Sequence, residues 1–171
     1  GPKAEVINSM GNKSQARKTM INAGVPVVPG TKDPVFDVEI GMKEAEKIGY
    51  PIIVKASSGG GGKGMRVVKD PNGFEFLFNV AQIESVNAFG DDTMYIEHFV
   101  ENPRHIEIQI MADNFGNVVA LGERDCSVQR NHQKLIEESP SPAISEEVRK
   151  AMSRDAILAA RTVGYTNAGT I

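Results

Sequence analysis

The chain has 171 residues, of which 40% are hydrophobic and 24% charged, a composition typical of one globular domain and unlike that of disordered proteins. Its 22 acidic and 19 basic residues give a net charge of −3, which disfavours a nucleic-acid partner because phosphate recognition needs a basic surface. No run approaches the roughly 18 apolar residues of a membrane span, and the single cysteine, Cys126, excludes an internal disulfide framework. We therefore expect a cytoplasmic protein that binds neither membranes nor nucleic acids.

The two ends of the chain suggest a segment of a longer protein. The sequence opens on Gly1-Pro2-Lys3 without an initiating Met, and it stops at Gly169-Thr170-Ile171, just after a turn signal. We expect a strand that begins at this end to have no partner within the chain.

The first half of the chain alternates helical stretches with β-branched runs. Asn12 or Ser14 is placed to cap a helix that Gly24 ends, and Pro26 and Pro29 exclude a helix between them. These signals predict helices over 12–24, 37–48 and 70–88, a short strand with a connector over 25–30, and strands over 50–57 and 65–69.

The second half is richer in strand and hairpin signals. Residues 113–117 are typical of a hairpin turn, and Ser145 is placed to cap a helix with two glutamates in its first turn. The signals predict strands over 94–100, 104–112 and 118–121 and a helix over 145–163, whereas residues 123–134 are too polar for a core strand. The fold class predicted is α+β, with a smaller lobe over 25–97 and a hairpin-rich lobe after it.

A glycine run over 59–64 is the strongest local feature. It matches G-x-G-x-x-G, but a strand rather than a helix follows, and Met65-Arg66 replaces the Lys-Ser/Thr of a P-loop. Four adjacent glycines are entropically costly to order, and their N–H groups can approach a phosphate closely. We favour a phosphate-covering flap between two strands over a plain flexible loop.

Lys55 interrupts the apolar run of the preceding strand, close to the glycine loop. A lone strand lysine usually extends to solvent from a sheet edge. Beside a phosphate loop, a charge contact with phosphate oxygens is the better interpretation.

Strict alternation over 104–110 places His105, Glu107 and Gln109 on one strand face. We favour a ligand-facing role slightly over a plain solvated face, and we disfavour a metal at His105 and Glu107 because no third ligand is near in sequence.

Residues 123–134 combine cations, carboxylates and a histidine, as a solvated face also would. We expect Cys126 to be a free thiol rather than a nucleophile, which would need a positioned base.

Four motifs, in order along the chain, resemble biotin carboxylase, the ATP-grasp component of acetyl-CoA carboxylase and related enzymes. They are Gly1-Pro2-Lys3-Ala4-Glu5, Lys55-Ala56-Ser57 with the glycine run, residues 101–107 and residues 123–134. The resemblance implies an ATP-grasp fold with a helical lead-in (1–24), a lid lobe with the flap (25–97) and an incomplete larger ATP-binding lobe (98–171). It implies that ATP activates bicarbonate as carboxyphosphate, which then carboxylates N1 of biotin.

The same resemblance assigns site residues. Lys134 is implied as the catalytic residue that holds bicarbonate and the transferring phosphoryl group. The implied ATP-binding residues are Lys3, Lys55, the flap residues Gly61 and Gly62, the adenine-binding hinge strand Glu97, His98, Phe99 and Val100, and the ribose and phosphate contacts His105, Gln129 and His132. His98 replaces a usual lysine, and Asn131 stands where arginine is common.

The implied cofactors are ATP, Mg²⁺ with its ligands beyond Ile171, and biotin as a carrier-bound substrate; we assign no metal ligand within the chain. The implied partners are bicarbonate, a biotin carboxyl carrier protein and a carboxyltransferase component. The complete enzyme is implied to be a homo-oligomer. It would serve the carboxylation of an acyl-CoA or a keto acid, as the acetyl-CoA carboxylase of fatty acid biosynthesis does. We expect the segment alone to be inactive. The alternatives are an ATP-grasp lobe of carbamoyl phosphate synthase, which residues 123–134 disfavour, and a non-catalytic nucleotide-binding module.

Overall fold

The computed structural model describes residues 1–58, 63–131 and 133–171. The roles predicted for Gly61, Gly62 and His132 lie outside the described residues. The described chain forms two compact units, one made of residues 1–9, 19–26 and 102–171 and the other of residues 10–18 and 27–101. The lobe boundaries implied by the resemblance stay a prediction.

The described elements are five α-helices, one 3-10 turn and seven strands. The helices are α1 (Ala4–Gly11), α2 (Lys13–Asn22), α3 (Val38–Ile48), α4 (Phe74–Phe89) and α5 (Glu146–Thr162), and the 3-10 turn is Pro71–Gly73. The strands are β1 (Ile52–Ala56), β2 (Met65–Val68), β3 (Met94–His98), β4 (Ile106–Ala112), β5 (Val118–Arg130), β6 (Gln133–Glu138) and β7 (Asn167–Thr170). Among these helices, none combines the length and apolar character needed to span a membrane.

Short polar side chains set the helix starts, as the sequence predicts for Asn12 and Ser145. Asn12 Oδ1 accepts from the Gln15 N–H at 3.0 Å, so Asn12 rather than Ser14 caps α2. Asp37 accepts from the N–H groups of Glu39 and Ile40, and Ser145 from that of Val148. Helix α1 lies within the helical lead-in (1–24) that the resemblance implies, although the local signals predicted a helix only from residue 12.

In the 10–18 and 27–101 unit, a three-stranded antiparallel sheet has the order β2-β1-β3. One face packs apolar side chains against α3 and α4, including Ile52, Val54, Ile96, Phe74 and Phe78. Because strand side chains alternate between faces, Lys55 and Glu97 lie on the opposite face. The sheet thus presents them away from the helical layer.

The strand predicted over 25–30 is wrong. Within these residues the structure has one isolated bridge, between Gly30 and Glu97. The physical reason is that Pro26 and Pro29 lack the N–H donors that a strand ladder needs. The segment instead supplies acceptors, since the Pro29 carbonyl accepts from the His98 N–H at 2.8 Å.

In the other unit, an antiparallel sheet has the order β6-β5-β4-β7, with α5 on one face. Ile108 and Ile110 pack there with Ala156 and Ala160 of the helix. The hairpin turn predicted at 113–117 is confirmed, because Asp113 Oδ1 accepts from the N–H groups of Phe115 and Asn117.

Two predictions about this sheet are wrong. Residues 123–134, predicted to be too polar for a core strand, do form sheet strands, because β5 runs on to Arg130 and β6 follows. Ion pairs between strands, such as those of Arg124 with Glu107 and Glu137, accommodate their charges. The last strand also has a partner, because β7 pairs antiparallel with β4, and Ile171 and Ile108 exchange backbone hydrogen bonds at 2.6 and 3.0 Å.

Candidate functional site

A first polar cluster lies on the open face of the β2-β1-β3 sheet. Lys55 stands opposite Tyr95 in the β1–β3 register, with Glu97 one step further on the same face. The Lys55 ammonium donates to the Glu97 carboxylate, and the two side chains are 22% and 18% exposed. The predicted phosphate lysine is therefore held by the predicted adenine-contacting glutamate.

Aromatic and cationic side chains border this pair. The Arg17 guanidinium carbon lies 5.7 Å from the centroid of the Tyr95 ring, and Arg17 also donates to the Val28 and Gly30 carbonyls. Burial raises the pKa of Tyr95 to about 12, so its hydroxyl stays protonated at neutral pH. Burial and the Lys55 charge lower the pKa of Lys13.

These side chains line a cavity of about 390 Å³, together with Lys13 and apolar residues of the adjoining segments. Its cationic rim suits an anionic group. A larger cavity of about 780 Å³, bordered by Thr31, Asp33 and Glu44, contains none of the predicted site residues.

The other hinge residues follow Glu97 along the chain. The N–H groups of His98 and Phe99 donate to the Pro29 and Pro51 carbonyls at 2.8 and 2.9 Å, and His98 Nδ1 lies 3.0 Å from the Gly49 carbonyl oxygen. These contacts hold the hinge in place. Val100 is exposed.

A second cluster crosses three strands of the other sheet, and we call it the Glu107 cluster: Glu107, Arg124 and Lys134. Glu107 of β4 stands opposite Arg124 of β5. Its Oε1 accepts from Arg124 Nε at 2.9 Å and Nη2 at 2.5 Å, and its Oε2 accepts from the Lys134 ammonium of β6. Glu107 is only 5% exposed, and its carboxylate is shared between two cations.

The protonation states of the Glu107 cluster follow from these contacts. Burial would raise the pKa of Glu107, but hydrogen bonds from Lys134 and Arg124 outweigh burial and bring it below its ordinary value. The hydrogen bond to Glu107 raises the pKa of Lys134, which stays charged at neutral pH. Burial raises the pKa of Cys126 between the strands, so Cys126 is a thiol rather than a thiolate nucleophile.

One group of three potential metal ligands occurs in the described part of the chain. Glu107, Cys126 and Glu137 each place a ligand atom within 4.8 Å of the others. Both oxygens of Glu107 already accept hydrogen bonds from cations, and Mg²⁺ takes oxygen ligands rather than a thiol. This group does not fit Mg²⁺.

His105 and Gln129 adjoin the Glu107 cluster. Gln129 Nε2 lies 2.8 Å from His105 Nδ1 and donates to the Cys126 carbonyl at 2.8 Å. His105 Nε2 lies 4.0 Å from Glu107 Oε2. A cavity of about 440 Å³ is lined by both residues and by Arg104 and Ser127. Three predicted site residues therefore lie within one unit: His105 and Lys134 beside the Glu107 carboxylate, and Gln129 against His105.

Arg124 was missing from the predicted site residues, and Glu107 was predicted only to share a ligand-facing strand face with His105 and Gln109. The alternation over 104–110 placed Glu107 on the face of His105, which was the available signal. Arg124 carries no local signal, because its role depends on the β4–β5 register. Lys3 lies just before α1 and is exposed, and its carbonyl accepts from the Val6 and Ile7 N–H groups.

Comparison with solved structures defines the class of protein. The chain matches "Crystal Structure of Biotin Carboxylase-beta-gamma-ATP Complex from Campylobacter jejuni" with a TM-score of 0.92 and 50% identity, covering 99% of this chain and 38% of that one. It also matches the biotin carboxylase domain of the Hydrogenobacter thermophilus 2-oxoglutarate carboxylase, described in complex with MgADP, ADP and bicarbonate, with a TM-score of 0.90, 44% identity and the same coverages. The fold is therefore the ATP-grasp fold, with its lid lobe and the first part of the larger lobe, and the predicted α+β class is confirmed.

The family follows from sequence comparison. The model of the family described as "Carbamoyl-phosphate synthase L chain, ATP binding domain" matches residues 12–171, and the chain belongs to this family. Over all 171 residues it is 54% identical to a biotin carboxylase of Nostoc sp. and 51% identical to a biotin carboxylase of Bacillus subtilis, covering 38% of each of those proteins. The resemblance to biotin carboxylase is confirmed. The chain spans little more than a third of the length of these relatives.

Proposed function

We propose that this chain forms the nucleotide- and bicarbonate-binding part of a biotin carboxylase, an ATP-dependent ligase. The carrying observation is the Lys134 ammonium held on a buried carboxylate beside His105 and Gln129, in a chain about half identical to biotin carboxylases over its whole length.

Phosphoryl transfer from ATP to bicarbonate places negative charge on the transferring group and on both oxygens in line with it. A preorganised cation at that place stabilises the transition state more than the ground state. Lys134 is the cation proposed for this role. Lys55, on the open sheet face, is proposed to neutralise the ATP phosphates, with Glu97, His98, Phe99 and Val100 against the adenine.

The remaining site roles are also proposals. Lys3 is proposed to contact ATP, and His105 and Gln129 to contact the ribose and phosphates. Mg²⁺, when bound with the nucleotide, supplies charge neutralisation at the phosphates. Gly61, Gly62 and His132 keep their predicted roles, which no described contact addresses.

The wider function extends the same proposal. Carboxyphosphate would pass its carboxyl group to biotin on a carrier protein, and a carboxyltransferase component would use it in turn. Proteins named for different carboxylases, such as biotin carboxylase and the 2-oxoglutarate carboxylase of Hydrogenobacter thermophilus, match this chain over nearly its whole length, so acetyl-CoA carboxylase and fatty acid biosynthesis stay predictions. The cytoplasmic location and the homo-oligomeric state stay predictions too.

The test is ATP turnover by the natural protein that carries this chain, expressed at its full length. We expect phosphate release that needs bicarbonate and rises with free biotin. Turnover that needs ammonia or glutamine instead of biotin would support the carbamoyl phosphate synthase alternative. Nucleotide binding without any bicarbonate-dependent turnover would support the non-catalytic module.

A further inference from the structure

Helix α4 is apolar on two opposite faces. Its 16 residues include only two charged side chains, Glu75 and Glu84. One face carries Phe74 and Phe78, which are fully buried in the core beneath the β2-β1-β3 sheet. A helix that is apolar all round is normally buried all round, so its second apolar face indicates a further contact.

This second face lies towards solvent. Phe76 is 71% exposed and Ile83 is 61% exposed, and their spacing of seven residues places them on the same side of the helix with Val80 between them. Single exposed apolar residues are normal, but a contiguous row of them marks a binding surface. We call Phe76, Val80 and Ile83 the outer ridge of α4.

A groove lies beside the outer ridge. Its cavity of about 500 Å³ has a wall that includes Val80, Ile83, Ala88, Lys63, Arg66 and Glu84. A neighbouring cavity of about 290 Å³ shares Ile83 and is bordered by Asp92. The larger volume is within the range of small-molecule sites, about 300–1,000 Å³.

The charges of this groove favour an anion at one end. Arg66 Nη1 pairs with Glu84 Oε2 at 2.9 Å, and the same oxygen accepts from the Gly64 N–H at 3.0 Å, so the Glu84 charge is compensated. Lys63 is exposed, and none of the acidic residues that the structure describes forms an ion pair with it. An anionic group is therefore expected at Lys63, and the apolar part of a ligand on the ridge.

We propose that this groove binds a single-chain alkyl carboxylate, with the chain along the outer ridge and the carboxylate at the Lys63 ammonium. The chain removes Val80 and Ile83 from water, and the carboxylate accepts a charge-assisted hydrogen bond. None of the lining residues has a role in the proposed function, so this inference goes beyond it.

The size of the ridge disfavours a protein partner. One face of a 16-residue helix measures about 24 Å by 10 Å, or roughly 240 Å². A stable protein interface buries about 800 Å² on each partner. The ridge alone therefore suits a small amphipathic molecule better than a second copy of the chain.

Titration calorimetry on the full-length natural protein, with octanoate and dodecanoate below their micelle-forming concentrations, tests the chain-length dependence. A fully buried CH₂ strengthens binding about fourfold, and a chain covered on one side gains about twofold per CH₂. Dodecanoate should therefore bind about 10-fold more tightly than octanoate. Equal affinities or no binding would overturn the proposal, as would dimerisation through the ridge without dodecanoate binding.

Substitutions of exposed side chains locate the site. Ile83→Gln should weaken dodecanoate binding about fivefold or more by removing apolar contact, and Lys63→Gln about two- to fivefold by removing an exposed charge. The matched controls are Ile40→Gln on α3 and Lys69→Gln after β2; both residues are exposed and lie outside the two cavities. A loss in either control as large as in its partner variant would contradict the assignment.

Photolabelling gives a readout that depends on no variant. Dodecanoate with a diazirine on its last carbon should label residues 76–88, as peptide mass spectrometry would show, and labelling confined to other segments would overturn the proposal. Both measurements work without ATP turnover. A protein that binds dodecanoate in this groove but shows no bicarbonate-dependent turnover would therefore overturn the proposed function and support this site.

Discussion

At the residue scale, the two strand lysines that are proposed to contact anions are Lys55 and Lys134. Each of them is held by a carboxylate from a different strand. Glu97 holds Lys55 with both side chains about one-fifth exposed, whereas Glu107 is almost fully buried under Lys134. The Arg124 guanidinium also fixes the Glu107 carboxylate, whereas the Glu97 carboxylate is more accessible to solvent, which screens an ion pair. The Lys55 pair is therefore the better suited to opening when a phosphate arrives, and the Lys134 contact to staying fixed.

Replacing each of the two lysines by alanine should change the kinetic constants in different ways. Lys55→Ala should raise the KM for ATP with a smaller change in kcat, because its contact is present in the ground state. Lys134→Ala should lower kcat by about 100-fold or more and weaken bicarbonate use, because its charge is needed as the transferring group develops charge. Steady-state kinetics on the full-length natural protein measures both. Lys47→Ala, an exposed lysine paired with Glu44 in the i,i+3 position, is the control, and matching profiles for the first two variants would contradict the role assignment.

Tyr95 provides a test of burial on the open sheet face. Its pKa is raised to about 12 because the ring is buried, and the unfolded chain has the ordinary value of 10. A group with a raised pKa stabilises the fold fully below pH 10, and this stabilisation is lost as the pH rises from 10 towards 12. Thermal melting of the wild type and Tyr95→Phe should therefore diverge over this interval, the wild type falling faster. Parallel melting curves would show that Tyr95 ionises as freely in the fold as in the unfolded chain.

At the element scale, close packing between α3 and α4 depends on a missing side chain. A Cβ at Gly41 of α3 would lie 2.9 Å from Cζ of Phe74 and 3.3 Å from the Phe78 ring. Both rings are fully buried and stacked, with centroids 5.5 Å apart. They cannot move aside cheaply, because buried side chains are already close-packed.

Gly41→Ala should therefore destabilise the protein by about 1–3 kcal/mol through overpacking, although alanine is the better helix former by about 1 kcal/mol. Urea unfolding would measure the change. Gly11→Ala in α1 is the matched control, since a Cβ there meets no atom within 4 Å, and it should be neutral or stabilising. A stabilised Gly41→Ala variant would show that the two rings can yield.

At the scale of the whole molecule, the buried carboxylates are concentrated in the unit that contains β4 to β7. Glu107, Glu123 and Asp125 are each no more than 6% exposed. Burial would raise the pKa of Glu107 and of Glu123, but hydrogen bonds from Lys134, Arg124 and Arg149 outweigh it; for Asp125 the Ser127 hydroxyl is the main cause. All three pKa values lie below their ordinary range.

A carboxyl group whose pKa is lowered in the fold stabilises the protein fully above its ordinary pKa, which is 4.5 for Glu and 3.8 for Asp. This stabilisation is lost as the pH falls below that value towards the pKa in the fold. We expect this unit to open first on acidification. Hydrogen exchange between pH 7 and 3 should show protection lost in β4, β5 and β6 before β1 and β3. Loss of protection in the reverse order would contradict the assignment, and Glu123→Gln should reduce the acid sensitivity of β5.

The sequence by itself determined the local elements and the family. Caps such as Asn12 and Ser145, the β-branched runs of β1 and β2, and the turn at 113–117 act over a few residues, so their structure could be predicted. The motifs around Lys55 and over 123–134 were enough for the resemblance, because they combine several residue types in a fixed order.

The tertiary structure decided what depends on strand register. Residues 123–134 look unsuited to a sheet, because the residues that neutralise them, such as Glu107 for Arg124 and Lys134, are 17 and 27 positions away. The β7–β4 pairing joins residues about 60 positions apart, such as Gln109 and Thr170. A local pattern cannot encode such pairs, since a shift of one residue in register reverses every side chain. For this reason the predicted site contained Lys134, and only the folded sheet showed that Glu107 and Arg124 hold it.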